Sequence, residues 1–317
     1  MQKRDLDRET AQFGNTPWRR ASGQKPHFSQ RTRKMGHPFP LYNRLSVERL
    51  RRTVAMSKGA LCAIAMALLL TAAFTAAQEA TNSRELVVAA AADLSAALKE
   101  VADSYEKQTG VKVRLSFGAS GALTQQIQNG APFDVFFSAD MDYPRQLISA
   151  GDADGASLYQ YAVGKLVLWV PADSALDVEH KGMNVLLDPA VKKIAIANPE
   201  HAPYGRAAVA ALKHAGLYER VSDRLVLGEN VSQAAQFAES GNAQAGFVAL
   251  AHAVAPAMRG KGKYWEVPAE YYPALAQGVV VLSHSPHKKE AGEFVEYVRT
   301  KAVGELLRAY GFSVPQK

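Results

Sequence analysis

The residues best placed to do chemistry lie between Ser116 and Asp140, in the run S-F-G-A-S-G-A-L-T-Q-Q-I-Q-N-G-A-P-F-D-V-F-F-S-A-D. Gly118, Ala119, Ser120 and Gly121 stand directly before a helical stretch, so backbone N–H groups and one hydroxyl point out of a helix start. The first turn of a helix carries donors without a partner and the positive end of the helix dipole, which suits a small anion. The same residues suit a plain glycine turn capped by serine, and this corner alone does not decide between the two. Three further corners have a similar make-up: Ala92-Asp93, Ala202-Pro203-Tyr204-Gly205 and Glu229-Asn230-Val231-Ser232. None is specific by itself; their coincidence in one chain is the argument.

Competing chemistry is weaker. Ser120 resembles a nucleophile elbow, but the G-x-S-x-G pattern fails because Ala122 holds the last glycine position. His201 stands close enough in sequence to Tyr204 to serve as a base, although a solvated loop histidine is the commoner case. His284 and His287 flank Pro286 and read as exposed loop residues. Asp134, Asp140 and Asp142 suggest a metal site at first sight, yet Asp140 and Asp142 flank a helix start and read better as caps. Trp169 and Trp265 read as core or interlobe packing.

The elements that must position these corners are legible as periodicity. Leu86 to Ala91 predicts a strand, and Leu94 to Thr109 a helix with Leu94, Ala97, Leu98, Val101 and Tyr105 on one face, ended by Gly110. Strand Val111 to Phe117, helix Ala122 to Asn129, strand Val135 to Phe137 and helix Asp142 to Ala150 follow. Tyr159 to Val170 reads as one long strand. A second series then runs through strand Lys193 to Ala197, helix Gly205 to Ala215, strand Arg224 to Leu227, helix Val231 to Ser240 and strand Ala245 to Val248. Strand Gln277 to Leu282 and two helices, Lys288 to Thr300 and Ala302 to Tyr310, complete it. Continuous apolar strands alternating with helices predict an α/β fold of two similar halves, each a parallel sheet covered on both faces, with a cleft between.

The chain has 317 residues, 37 Lys and Arg against 30 Asp and Glu. That charge is unevenly placed. Met56 opens a lysine, an apolar run from about Ala60 to Phe74 and the small residues Thr75, Ala76 and Ala77, which read as a secretory signal peptide over 56–77. The apolar run is shorter than the roughly 20 residues a membrane span needs. Residues 1–55 are arginine-rich, polar and aperiodic, and read as an untranslated or disordered upstream extension, with Met56 the expected start. Residues 1–77 hold 14 Lys and Arg against 4 Asp and Glu, leaving 23 against 26 from Gln78 onward, a net charge of about −3. The sequence pI of about 9.3 therefore belongs to the leader and supports no nucleic-acid partner. The only cysteine, Cys62, falls inside the signal, so the exported part has no disulfide and no thiolate site.

With the corners in place, the exported chain resembles the periplasmic molybdate-binding proteins of ABC transporters. The resemblance covers Glu85 to Pro315 and rests on V-V-A-A-A-A-D-L, S-F-G-A-S-G, Q-N-G-A-P-F-D-V-F-F-S-A-D, Y-A-V-G-K-L-V-L-W, I-A-N-P-E-H-A-P-Y-G, G-E-N-V-S-Q-A, A-G-F-V-A-L-A and Y-G-F. It implies a two-lobed type II periplasmic binding fold, with lobe 1 from 84–163 plus 269–317 and lobe 2 from 164–268. The chain would cross between lobes near Val163-Gly164 and near Pro268 to Ala276, with the ligand in the interlobe cleft. It implies a monomer that binds molybdate, and tungstate as a second ligand, delivers it to an inner-membrane ABC permease and needs no cofactor. The implied oxyanion donors are the N–H groups of Ala92, Asp93 and Val231, the hydroxyl and N–H of Ser120, and an N–H or hydroxyl of Tyr204.

Asp93 departs from the pattern, since relatives often carry Ser or Asn there. An ionised carboxylate only accepts hydrogen bonds, and at ~5 Å from a dianion in an effective dielectric of ~20 the repulsion is about 6–7 kcal/mol. The expectation is that the Asp93 side chain turns away and caps the Leu94 helix, leaving its N–H to the ligand. Three alternatives stay open on sequence: sulfate or phosphate as the ligand, a hydrolase using Ser120 with His201 and an acid, and a receptor that reports to a sensor.

Overall fold

The computed structural model describes residues 85–315; the expected signal peptide over 56–77 and the extension over 1–55 lie outside them. In chain order the strands are β1 (Glu85–Ala91), β2 (Lys112–Gly118), β3 (Val135–Ser138), β4 (Tyr159–Gly164), β5 (Leu166–Pro171), β6 (Ile194–Ala197), β7 (Leu225–Gly228), β8 (Ala245–Ala249), β9 (Gly262–Glu266) and β10 (Leu275–Val281). The helices are α1 (Ser95–Thr109), α2 (Ser120–Gln128), α3 (Asp142–Ala150), α4 (Val178–Lys181), α5 (Pro203–His214), α6 (Tyr218–Val221), α7 (Val231–Glu239), α8 (Leu250–Val254), α9 (Lys288–Val298) and α10 (Lys301–Ala309).

The strands form two five-stranded sheets, one per lobe, ordered β2-β1-β3-β10-β4 and β7-β6-β8-β5-β9. In the first, β1 pairs parallel with β2 and β3, while β10 is antiparallel to β3 and β4. In the second, β6 pairs parallel with β7 and β8, while β5 is antiparallel to β8 and β9. Each sheet therefore runs mostly one way, with a single reversed strand. That strand is the one arriving from the other lobe: β5 follows β4 into the second sheet, and β10 follows β9 back into the first.

The run Tyr159 to Val170 is thus not one strand. It breaks at Lys165, with β4 in one sheet and β5 in the other. Apolar periodicity hid the break because residues on both sides are buried in a core. β9 was also missed; its residues are half-exposed at a sheet edge and carry little apolar signal.

Around the crossings the strands are tied together. The Leu166 N–H donates to the Tyr272 hydroxyl at 3.1 Å, and Val163 bridges Ser313 on the returning C-terminal segment. Gly164 lets this crossing pass close to its neighbours: a Cβ there would fall 2.2 Å from the Tyr204 hydroxyl oxygen and 2.6 Å from Gln277 Nε2. An aromatic seam of Tyr105, Phe294, Phe137 and Tyr161 fills lobe 1, with ring centroids 4.9 to 6.0 Å apart, and it delivers the Tyr161 hydroxyl to the crossing strands. Trp169 is fully buried in lobe 2, and Trp265 packs across Gly182.

Helix starts are pressed against strand ends, which brings the corners into register. Gly205, in the first turn of α5, is the tightest case: a Cβ would lie 2.2 Å from the carbonyl oxygen of Ala197 and 2.8 Å from the Pro199 nitrogen, both backbone atoms. Gly205→Ala must push α5 off β6. We expect a loss of about 1–3 kcal/mol, read as a lower urea midpoint at unchanged m-value.

Candidate functional site

Ala92, Asp93, Ser120, Tyr204 and Val231 line one cavity between the lobes, with about 190 Å³ of empty space including its mouth. Every corner contributes: residues 91–93 and 118–120 from lobe 1, with Ala139 beside them, and residues 202–204 and 230–231 from lobe 2. The lining holds no lysine, arginine or histidine, and its one ionisable carboxyl is Asp93.

Hydrogen bonding at each helix start decides which donor is left over. At α7, the Asn230 side chain accepts from the N–H groups of Ser232 and Gln233 at 3.0 and 3.2 Å, leaving the Val231 N–H. At α2, the Gly121 N–H donates across the cleft to the His201 carbonyl at 2.8 Å, leaving the Ser120 N–H. At α5, Pro203 has no N–H, while those of Gly205 and Arg206 turn back to the Ala202 carbonyl, leaving the Tyr204 N–H. The short 3₁₀ turn Ala92–Leu94 presents its own first donors at the fourth corner. Ser120 is buried, and its hydroxyl oxygen accepts from the Ala139 N–H at 3.0 Å, so the hydroxyl proton is free to donate.

Two details depart from the sequence reading, at Asp93 and Asp142, and a third narrows it at Tyr204. The Asp93 side chain makes no cap at the 3₁₀ turn or at α1. It turns instead into the hinge, where its Oδ2 accepts from Gln277 Nε2 at 2.6 Å. The Tyr204 hydroxyl also faces the hinge, 3.4 Å from Gln277 Nε2, so Tyr204 offers the cavity its N–H. The capping carboxylate of α3 is Asp140, which accepts from the N–H groups of Asp142 and Tyr143 at 3.1 Å; Asp142 is exposed beside Arg145.

Other candidates find structural roles. Asp134 is buried and accepts from the Val87 N–H at 2.7 Å and the Ser285 hydroxyl at 2.6 Å. The His201 ring lies near Glu200, whereas its carbonyl meets the Ser120 helix. His284 bonds the Ala131 carbonyl. Among the described residues no group of three or more His, Cys, Asp or Glu is placed to hold a metal ion.

Sequence reasoning missed the residues that join the lobes. Arg206 on α5 reaches Asp140 Oδ2 at 2.5 Å and the Tyr143 hydroxyl at 3.2 Å. Ser232 Oγ stands 3.1 Å from the Ala92 carbonyl and 2.8 Å from His252 Nε2. Gln277 is fully buried, and its Oε1 lies 2.7 Å from the Tyr161 hydroxyl. A lone glutamine in the apolar strand L-A-Q-G-V-V-V was the available signal; the Arg206 pairing, 66 residues apart, left none.

Two α/β lobes of this topology, crossed twice by the chain and meeting at a small cavity of helix starts, make up the type II periplasmic binding fold and the site of a solute-binding protein. A family model for bacterial extracellular solute-binding proteins matches residues 86–313, and the chain belongs to that family. Similar proteins include the molybdate-binding protein of Azotobacter vinelandii, 40% identical over 235 residues, covering 74% of this chain and 92% of the relative. The molybdate-binding protein of Rhodobacter capsulatus is 38% identical over 228 residues, covering 72% and 88%. Among solved structures, the Azotobacter vinelandii periplasmic molybdate-binding protein matches with a TM-score of 0.69 at 37% identity, over 73% of this chain and 100% of the other. The sulfate-binding protein SubI from Mycobacterium tuberculosis H37Rv shares the fold, with a TM-score of 0.59 at 18% identity over 72% and 86%.

His252 gives the closed interface a pH dependence. Burial lowers its pKa to about 4 from 6.5, so between those values the unfolded chain binds the proton more readily and stability falls as the pH falls. Moving from pH 7.5 to 4.5 should cost about 2–3 kcal/mol on this account. His252→Gln should lose that share of the acid sensitivity. Urea unfolding of variant and parent at both pH values checks it.

Proposed function

We propose that this protein is a periplasmic binding protein for molybdate, and for tungstate as a second tetrahedral dianion, which it delivers as a monomer to an ABC permease of the inner membrane. The observation that carries this reading is the cavity itself: four helix starts, each with a first-turn donor left over, and no cationic side chain in the lining. The donors are the N–H groups of Ala92, Asp93, Ser120, Tyr204 and Val231 and the Ser120 hydroxyl. The lobes that close on the ion are 84–163 plus 269–317 and 164–268, reached after removal of the leader over 56–77. The names of the relatives at 38–40% identity support the choice of molybdate.

The chemistry follows from desolvation. A buried dianion must be met by many hydrogen bonds, since unpaired burial of charge is very costly. Bonds from N–H groups to an ionised acceptor are about twice as strong as neutral ones, and several partial positive charges at helix starts replace a formal cation. Neutral donors also leave no residual ion pair to hold the lobes shut, so the cargo can be released. The site binds without bond-making, and the protein acts as a carrier with no cofactor and no enzymatic step. Ser120 serves it as a donor, since its oxygen is engaged by the Ala139 N–H and not by an imidazole.

Calorimetry with molybdate, tungstate, sulfate and phosphate under matched conditions tests the reading. Tight one-to-one binding of the first two alone is expected. Ser120→Ala should weaken molybdate binding about 10- to 100-fold, the worth of one hydrogen bond to a charged group, with an unchanged circular dichroism spectrum. Tight binding of sulfate or phosphate would replace the ligand, and silence from all four would sink the function.

A further inference from the structure

We propose that the Asp93 side chain binds the oxyanion as a neutral carboxylic acid, taking up one proton from solvent and donating it through Oδ1, so that capture of the anion is coupled to proton uptake. This rests on the oxyanion reading above and adds to it a side-chain donor and a linkage.

The geometry sets up the asymmetry between the two carboxyl oxygens. Asp93 lines the cavity and is 2% exposed. The Tyr161 hydroxyl has two acceptors in reach, Gln277 Oε1 at 2.7 Å and the Ser138 carbonyl at 3.2 Å, and the Gln277 Nε2 end faces Asp93. Oδ2 thereby receives its hydrogen bond at 2.6 Å. Oδ1 is buried and has no hydrogen-bond partner. A buried, unpartnered carboxyl oxygen on a residue that lines the cavity is costly as an acceptor and useful as a donor.

No cation offsets the charge. The groups facing Asp93 are the Tyr204 hydroxyl from α5, the Tyr161 hydroxyl from β4 and the Gln277 amide from β10. From α8, His252 approaches the neighbouring Ala92 carbonyl and is held neutral by burial. Asp140, beyond β3, adds a second negative charge near Tyr161, and Arg206 is committed to it. Burial raises the Asp93 pKa to about 6, against the lowering influence of Gln277, the nearby Tyr204 hydroxyl and the Asp93 N–H. A dianion beside the carboxyl raises it further, because repulsion disfavours the charged form. Protonation removes that repulsion and converts Oδ1 from an acceptor into a donor. The balance is simple: one solvent proton adds to the carboxylate as one oxyanion enters, and both leave together.

The sign follows. Above the pKa of the free protein, each bound anion must bring a proton, so affinity falls as pH rises, and release is favoured in a more alkaline medium. The experiment is calorimetry of the full chain with sodium molybdate between pH 6.5 and 8.5, in buffers of differing ionisation enthalpy, repeated with Asp93→Asn. The expected result is a roughly tenfold loss of affinity per pH unit above pH 7, with close to one proton taken up per molybdate at pH 8. Asp93→Asn, which keeps a donor without titrating, should bind with less than a twofold change across the range, take up no proton, and exceed the parent at pH 8. A parent protein whose affinity is flat with pH and which takes up no proton overturns the proposal, and the parent's proton count decides this even if the variant does not fold. Binding by Asp93→Asn with none by the parent at any pH would keep the oxyanion reading and overturn proton uptake. Absence of binding by both, with both folded, would overturn the two together.

Discussion

A doubly charged ion leaves water only for a place that supplies hydrogen bonds from every side, and a single α/β sheet offers such donors on one rim only. That constraint accounts for the architecture. Each lobe brings two helix starts to one rim of its sheet, and neither alone surrounds an ion. The half-sites must therefore face each other across a cleft. Local hydrogen bonding at each corner does the selecting: Asn230 absorbs two donors of its helix, Ala202 absorbs two of its own, and the His201 carbonyl takes one from the opposite lobe. What remains is a small set of first-turn donors around one cavity.

The contacts that hold the lobes together are of a different kind from those lining the cavity. Arg206, partly exposed, pairs with the buried Asp140 and meets the Tyr143 hydroxyl, a charged link between the lobes. Ser232, Ala92 and His252 form a neutral bridge on the far side. Behind the cavity, Gln277 sits on the returning strand and touches Asp93 of lobe 1 and Tyr204 of lobe 2 at once. One glutamine thus senses both halves of the site.

Much of this was legible in the sequence, and the parts that were not share a cause. The strand–helix alternation and the four corners could be read because helix starts are local: a serine or asparagine before an apolar helical run announces its own geometry; the five lining residues were implied by the family resemblance. The break at Lys165 could not, since both sides of it are apolar and buried and periodicity is blind to a change of sheet. The Asp93 side chain was misread for a related reason. A carboxyl at a helix start is a cap by local rules, but here burial against Gln277, 184 residues away, outweighed the local preference. Arg206 likewise meets Asp140 only once both lobes exist. Whatever depends on two distant segments meeting at the hinge had no signature in either one.

The reversed strand of the first sheet has a consequence for how the molecule comes into being. β10 lies between β3 and β4, so the first sheet has a gap in its middle until nearly the last segment of the chain has arrived. The second sheet, by contrast, is built from one continuous stretch, β5 to β9. The first half cannot finish before the second has been made, and its pairings of β10 with β3 and β4 join segments more than 100 residues apart in sequence, which makes assembly slow. The first lobe therefore stays open until β10 and the C-terminal segment are available. That is well matched to threading through a narrow translocation channel before folding on the far side.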